Sequence, residues 1–353
     1  MRQNLLNEWL QSARVAGTRL STILLLFCAV TLLTSGAWLF AGCTQAETIS
    51  GNKDQQPPTG SNAGEVKPQT QSNANTQQPK NGNESVEPKE ERSAKGTPLP
   101  FYEALEQQGI KLDGCPKDDP VVRRILQEYG AMFIAVNKVK LPPVCMFTSE
   151  SEVVKFQNDA KFVSALIGGT SIQLQPAAME ALLAARQEAI EQGLNITPRG
   201  GSEAARRGYH ATLRLWNSRF LPALGYWSGR GRLSREQVAR LRGSSIHDQV
   251  AQVLELEKSG IFFSKDLSKS ILYSVAAPGA SQHISMLALD VAQFGNARVR
   301  RILARHGWFQ TIKSDMPHFT YLGLEEAELP SRGLRSVMVG SQLFWIPDIR
   351  DKN

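Results

Sequence analysis

Between Thr44 and Thr97 the chain contains no aromatic residue, and Ile49, Val66 and Val86 are almost its only large apolar groups. A stretch built from Gln, Asn, Pro, Lys, Glu, Ser, Gly and Thr cannot bury enough surface to offset the entropy of ordering it. Residues 44–97 are therefore expected to form a disordered tether, with folding beginning near Thr97 or Pro98. This confines any core, and any site built on one, to residues 98–353. The segment before the tether is its opposite. From Leu20 to Ala41 there is no charged residue, while Arg2, Arg14 and Arg19 lie on its N-terminal side. An uncharged run with a basic flank is the pattern of an export signal or a membrane span, and either places the remainder outside the cytoplasm.

The run ends in Leu39-Phe40-Ala41-Gly42-Cys43, which resembles the lipobox of bacterial lipoproteins, with Phe40 where Leu or Val is usual. Processed there, residues 1–43 would act as a signal and Cys43 would carry lipid. Unprocessed, the same segment would stay as an anchor, since about 20 apolar residues suffice to cross a bilayer. Both routes imply a membrane-anchored, extracytoplasmic location in the cell envelope. Beyond this segment only Cys115 and Cys145 remain. In an oxidising compartment the pair is expected to close as a disulfide, two buried free thiols being the alternative. Lys and Arg number 40 against 33 Asp and Glu, a formal charge of +7, and arginine recurs from Arg199 to Arg242. Export excludes nucleic acid as the partner, so this run is either a solvated helical face or an attraction for anionic cell-wall polymer.

Within the folded part, the apolar spacing of residues 121–136 predicts a helix, and Pro142-Pro143 interrupts the segment after it. Alternation over Ser171 to Gln175 predicts a short strand. Pro176 then opens an alanine-rich helix through Gln192, which Gly193 closes, and a further helix is expected from Glu203 to Asn217. Residues 286–291, 318–322 and 337–346 are expected to be strands. Helices and strands without strict alternation predict an α+β domain. Residues 98–170 carry no legible motif and are set apart as an N-terminal accessory region; residues 171–353 form the domain with the chemistry.

That chemistry concentrates between Ala276 and Asp290. Alternation of Leu287 and Leu289 with Ala288 and Asp290 puts a carboxylate opposite the larger aliphatic groups, where a buried charge needs a partner. His283 precedes it in the turn leading to the strand. Farther on, His318 and Thr320 share one face of a strand, Phe319 and Tyr321 take the other, and Asp315 lies three residues before His318. Two histidines and an aspartate form a ligand set that zinc accepts in catalytic sites, with one position left for water. A carboxylate beside such a set is placed to take a proton from that water.

Taken together, Ser281-x-His283 with Asp290, followed by Asp315-x-x-His318, resembles the motifs of the zinc D-alanyl-D-alanine carboxypeptidases, the VanY-like branch of the LAS peptidases. Pro278-Gly279 before the first motif, Thr320-Tyr321-Leu322-Gly323 after the second, and Ile196-Thr197-Pro198-Arg199 upstream extend the likeness over roughly residues 171–323. The resemblance implies a small antiparallel sheet with helices packed around it and a zinc site on the sheet. It implies His283, Asp290 and His318 as zinc ligands, Asp315 as general base, and Ser281 with Arg199 as substrate-binding groups. Arg206 or Arg207 stand as alternatives for the arginine, whose planar fork suits a terminal carboxylate. The implied activity is hydrolysis of peptidoglycan stem peptides. Asp315 stands where the family usually has Glu, and Met286 where it usually has Gly. A non-catalytic cell-wall-binding lipoprotein on a degenerate peptidase domain is the alternative that these two departures suggest.

Overall fold

The computed structural model describes residues 95–350. The segment expected to direct export, Cys43 and nearly all of the stretch expected to be a tether lie outside the described residues, and no described helix is long and apolar enough to cross a membrane.

Most elements begin where a capping residue lets them. After α1 (Phe101–Gln107), Asp119 accepts hydrogen bonds from the amides of Val121 and Val122, and Pro120 fills the first position of α2 (Pro120–Tyr129). This helix ends at Gly130, earlier than its apolar spacing predicts, and a buried 3-10 segment, Gly130–Ile134, continues it. Ser149 caps α3 (Glu150–Ala160). The antiparallel hairpin of β1 (Val163–Ile167) and β2 (Thr170–Leu174) turns through Gly168 and Gly169. Pro176 opens α4 (Pro176–Glu191) as expected.

The next helix starts later than expected. α5 spans Tyr209–Gly229, while Ser202–Ala204 forms only a 3-10 turn. The reason is tertiary: the amide of Arg207 donates to the carbonyl of His283, 3.3 Å away, and Gly208 is extended. Residues just before α5 are thus tied to another segment instead of to a helical ladder. Next come α6 (Arg235–Gly243), started by a capping box between Ser234 and Gln237, and α7 (Ile246–Lys258).

The central sheet is small. β3 (Ala288–Asp290), β4 (Trp308–Phe309) and β5 (His318–Tyr321) are antiparallel in the order β3-β5-β4, with α8 (Ala297–Arg305) between β3 and β4 in sequence. A hairpin of β6 (Leu334–Val339) and β7 (Gln342–Pro347) comes last. The architecture is α+β with small antiparallel sheets.

Directly opposed residues of an antiparallel pair point to the same face. Asp290 pairs with His318 and Ala288 with Thr320, whereas Leu289 pairs with Phe319. One face of β3 and β5 therefore carries Asp290, His318 and Thr320, and the other carries Leu289, Phe319 and Tyr321. Leu289, Trp308, Phe319 and Tyr321 join the largest hydrophobic cluster, to which Phe101, Leu126 and Phe133 also belong. Residues from both sides of position 170 build that core. Cys115 and Cys145 lie in the same cluster and form a disulfide with Cα atoms 5.6 Å apart. A second cluster, around Trp216, Phe220 and Phe263, packs beneath α5 and α7.

Candidate metal centre

The approach to the site is set by a glycine. Gly279 has φ +79°, and a Cβ there would lie 1.9 Å from the carbonyl oxygen of Phe147. No side chain fits, and the amide of Phe147 donates to the carbonyl of Gly279 at 3.0 Å. From this clamp the chain passes Ser281 into a 3-10 turn, Gln282–Ser285, which carries His283 and ends at Met286. Met286 takes the left-handed conformation with φ +58°, where glycine would sit without strain. Its side chain is fully buried with Phe147, Phe156, Tyr209 and Ile284, so apolar packing offsets a backbone cost of order 1 kcal/mol. β3 then delivers Asp290 and β5 delivers His318.

These three residues converge. His283 Nε2 and His318 Nδ1 each lie 3.4 Å from Asp290 Oδ1, and the two imidazoles meet edge to face with centroids 4.8 Å apart. One ligand atom from each falls within 4.8 Å of the others, so the group could hold a metal ion. Both ring nitrogens of His283 and Oδ1 of Asp290 are buried without a hydrogen-bond partner. Leaving such atoms unsatisfied costs about 1–3 kcal/mol each, more for a charged group. A cation between His283 Nε2 and Asp290 Oδ1 would satisfy those two atoms, leaving only His283 Nδ1 unpartnered, so the donor set fits a metal. Burial lowers the His283 imidazole to about 4, which keeps it neutral and able to donate a lone pair at neutral pH.

The remaining Asp290 oxygen is occupied. Arg207 donates from Nη2 to Oδ2 at 2.9 Å, and its Nε donates to the carbonyl of Glu203. That contact steers Oδ1 toward the histidines.

A cleft of about 410 Å³ opens beside the cluster, lined in part by Tyr129, Arg207, Arg219, Ser281, His283, Asp315 and His318. Asp315 lines the cleft and is exposed to it. Protein crowded around the cleft partly desolvates its carboxyl and pushes it above the ordinary value, against a smaller opposing pull from His318. Arg199 is placed differently: its amide donates to the carbonyl of Asp290 at 2.7 Å, and its guanidinium lies 5.4 Å from the ring centroid of Phe294. It is not among the residues lining the cleft, although its charge reaches Asp315. Arg206 is engaged elsewhere, with Gln157, Gln173 and the face of Phe162.

The motif spacing thus leads to the three clustered side chains, and to Ser281 and Asp315 on one cleft. It does not reveal Arg219, whose Nε donates to the Ser274 hydroxyl at 3.2 Å, nor Gln282, which reads as a spacer between Ser281 and His283. No protein-family model matches this chain, and no curated protein matches it.

Proposed function

We propose that this protein is a zinc-dependent peptidase of the bacterial cell envelope, of the LAS type, which hydrolyses peptidoglycan stem peptides in the manner of a D-alanyl-D-alanine carboxypeptidase. The observation that carries the reading is the convergence of His283, Asp290 and His318 beside a cleft that both histidines line and that also holds a carboxylate and arginines. Zinc is favoured by chemistry and by spacing. Two imidazoles and a carboxylate suit it, and ligand atoms about 2.0–2.1 Å from a tetrahedral ion stand about 3.4 Å apart. The two separations to Asp290 Oδ1 are 3.4 Å.

When bound, zinc supplies Lewis acidity at the scissile carbonyl. The chain's own groups do the rest. Asp315 accepts a proton from the attacking water, a role that a raised carboxyl pKa favours, and returns it to the leaving amine. Ser281 holds the substrate backbone at the cleft wall. A terminal carboxylate needs a guanidinium, and Arg219 has no carboxylate partner among the described residues. Arg207 is bound to Asp290, so it orients a ligand and screens the anion that enters. An exported, tethered chain meets its substrate outside the membrane, which agrees with the uncharged run, the Cys43 motif and the polar stretch in the sequence.

Incubation of the full chain with zinc and stem peptides should release D-alanine or a shorter peptide, read by mass spectrometry. Asp315→Ala should lower turnover by about 10²–10⁴-fold with zinc content unchanged. No metal-dependent product from any stem peptide would overturn the peptidase reading. Retention on purified peptidoglycan without hydrolysis would favour the non-catalytic wall-binding alternative.

A further inference from the structure

Gln282 is fully buried between the N-terminal segment and the metal cluster, and its hydrogen bonds can be followed one by one. Its Nε2 donates to the backbone carbonyl of Tyr129 at 2.9 Å. A peptide carbonyl only accepts, so the orientation of the amide is fixed. The amide oxygen must then be the atom 2.9 Å from His318 Nε2. An amide oxygen also only accepts, so His318 Nε2 carries the proton. In a neutral imidazole the other nitrogen is then bare. That nitrogen, Nδ1, is the one 3.4 Å from Asp290 Oδ1. Two lone pairs face each other across that gap, an arrangement that calls for a cation between them. The hydroxyl of Thr320 also donates to Gln282 Oε1, and that of Thr311 lies 3.4 Å from it, so the oxygen is surrounded by donors. A flipped amide would set its oxygen against the Tyr129 carbonyl and its NH₂ against His318.

We propose that Gln282 is a positioning residue, which locks His318 in the Nε2–H tautomer and so presents Nδ1 to the metal, with the Tyr129 carbonyl fixing the direction of Gln282. The inference rests on the metal reading above and deepens it. It also gives the otherwise motif-free stretch around α2 a share in the site, because Tyr129 closes that helix. His283 contrasts with His318, since neither of its nitrogens has such a partner.

The test uses the full chain with ¹⁵N-labelled histidine, which confines the label to five residues. In the metal-free native protein, His318 should show an N–H at Nε2 and a bare nitrogen at Nδ1; a predominant Nδ1–H form overturns the proposal. In Gln282→Met the two tautomers should mix, and the dissociation constant for Zn²⁺ should rise about 10–100-fold, the usual consequence of removing a partner of a metal-bound histidine. An unchanged zinc affinity in a folded Gln282→Met protein also overturns it. If that variant does not fold, the native tautomer decides. If the native chain takes up no zinc, the metal reading fails, whereas the His318 tautomer still reports separately on Gln282.

Discussion

Residues 276–323 and residues 98–170 meet at the same site but contribute in different currencies. The first stretch supplies side chains whose chemistry can be named from their type: two imidazoles, two carboxylates, a hydroxyl. The second supplies mainly backbone groups and apolar bulk. Phe147 closes on Gly279, the Tyr129 carbonyl aims Gln282, and the amide of Val136 bonds the carbonyl of Leu322 just past β5. Gln157 on α3 donates to the carbonyls of both Ile284 and Arg207, joining the turn that carries His283 to the segment that carries Arg207. The lesson is that a ligand set is visible as residue types, while the frame that aims it can be built from carbonyls that any residue would offer.

The largest expected effect tests the clamp between the two stretches. Gly279→Ala combines an unfavourable positive φ with a Cβ 1.9 Å from a backbone oxygen, and backbone cannot swing aside as a side chain can. A loss of about 4 kcal/mol or more in denaturant unfolding is expected, near the top of the range for single substitutions. A loss under about 1 kcal/mol would mean that Phe147 does not close on this turn.

Next in size is the effect of the metal itself. Zinc at about 1,000-fold excess over its dissociation constant should add about 4 kcal/mol to the stability of the native chain, and His283→Ala should abolish that increment. Calorimetric melts with and without zinc read it directly. A zinc-dependent shift that survives in His283→Ala would remove this histidine from the ligand set. By contrast, Gln157→Leu should cost about 1–3 kcal/mol with or without zinc, because it leaves the Ile284 and Arg207 carbonyls without their side-chain donor. If that cost vanished whenever zinc was present, the frame and the ligands would not be separable.

Legibility divides along the same line. Period-two alternation placed Asp290 and His318 on one face of their strands, and the observed register pairs them directly. Pro176 and Gly193 marked the ends of α4 because each acts through its own backbone preferences. The start of α5 was not legible, since the amide of Arg207 is drawn to the carbonyl of His283, a contact between segments far apart in sequence. Gln282 was hidden for another reason. In a 3-10 turn, alternation no longer tells which residue faces inward, so a glutamine between Ser281 and His283 looks like a spacer. Met286 was legible as a departure from glycine, but not how it is accommodated, which depends on Phe147, Phe156 and Tyr209 packing around it.

The smallest effect probes the far end of the helix that carries Tyr129. The Asp119 carboxylate accepts from Val121 and Val122 at the start of α2 and lies 2.7 Å from His247 Nε2. Burial pushes its carboxyl up, but these hydrogen bonds prevail and hold it below the ordinary value. A carboxylate depressed in the folded state contributes stability that is present above its unfolded value, about 3.9, and is lost as pH falls through the lower folded one. Asp119→Ala should therefore cost about 1 kcal/mol near pH 6, as the loss of a helix cap does. The gap from the native protein should narrow as unfolding is followed from about pH 4 downward. A gap that stayed constant to about pH 2 would show that the carboxylate's charge is not what secures the helix. Zinc affinity should stay unchanged in the same variant, because Tyr129 sits at the opposite end of α2. A loss of affinity would show instead that the frame transmits strain along the whole helix to Gln282.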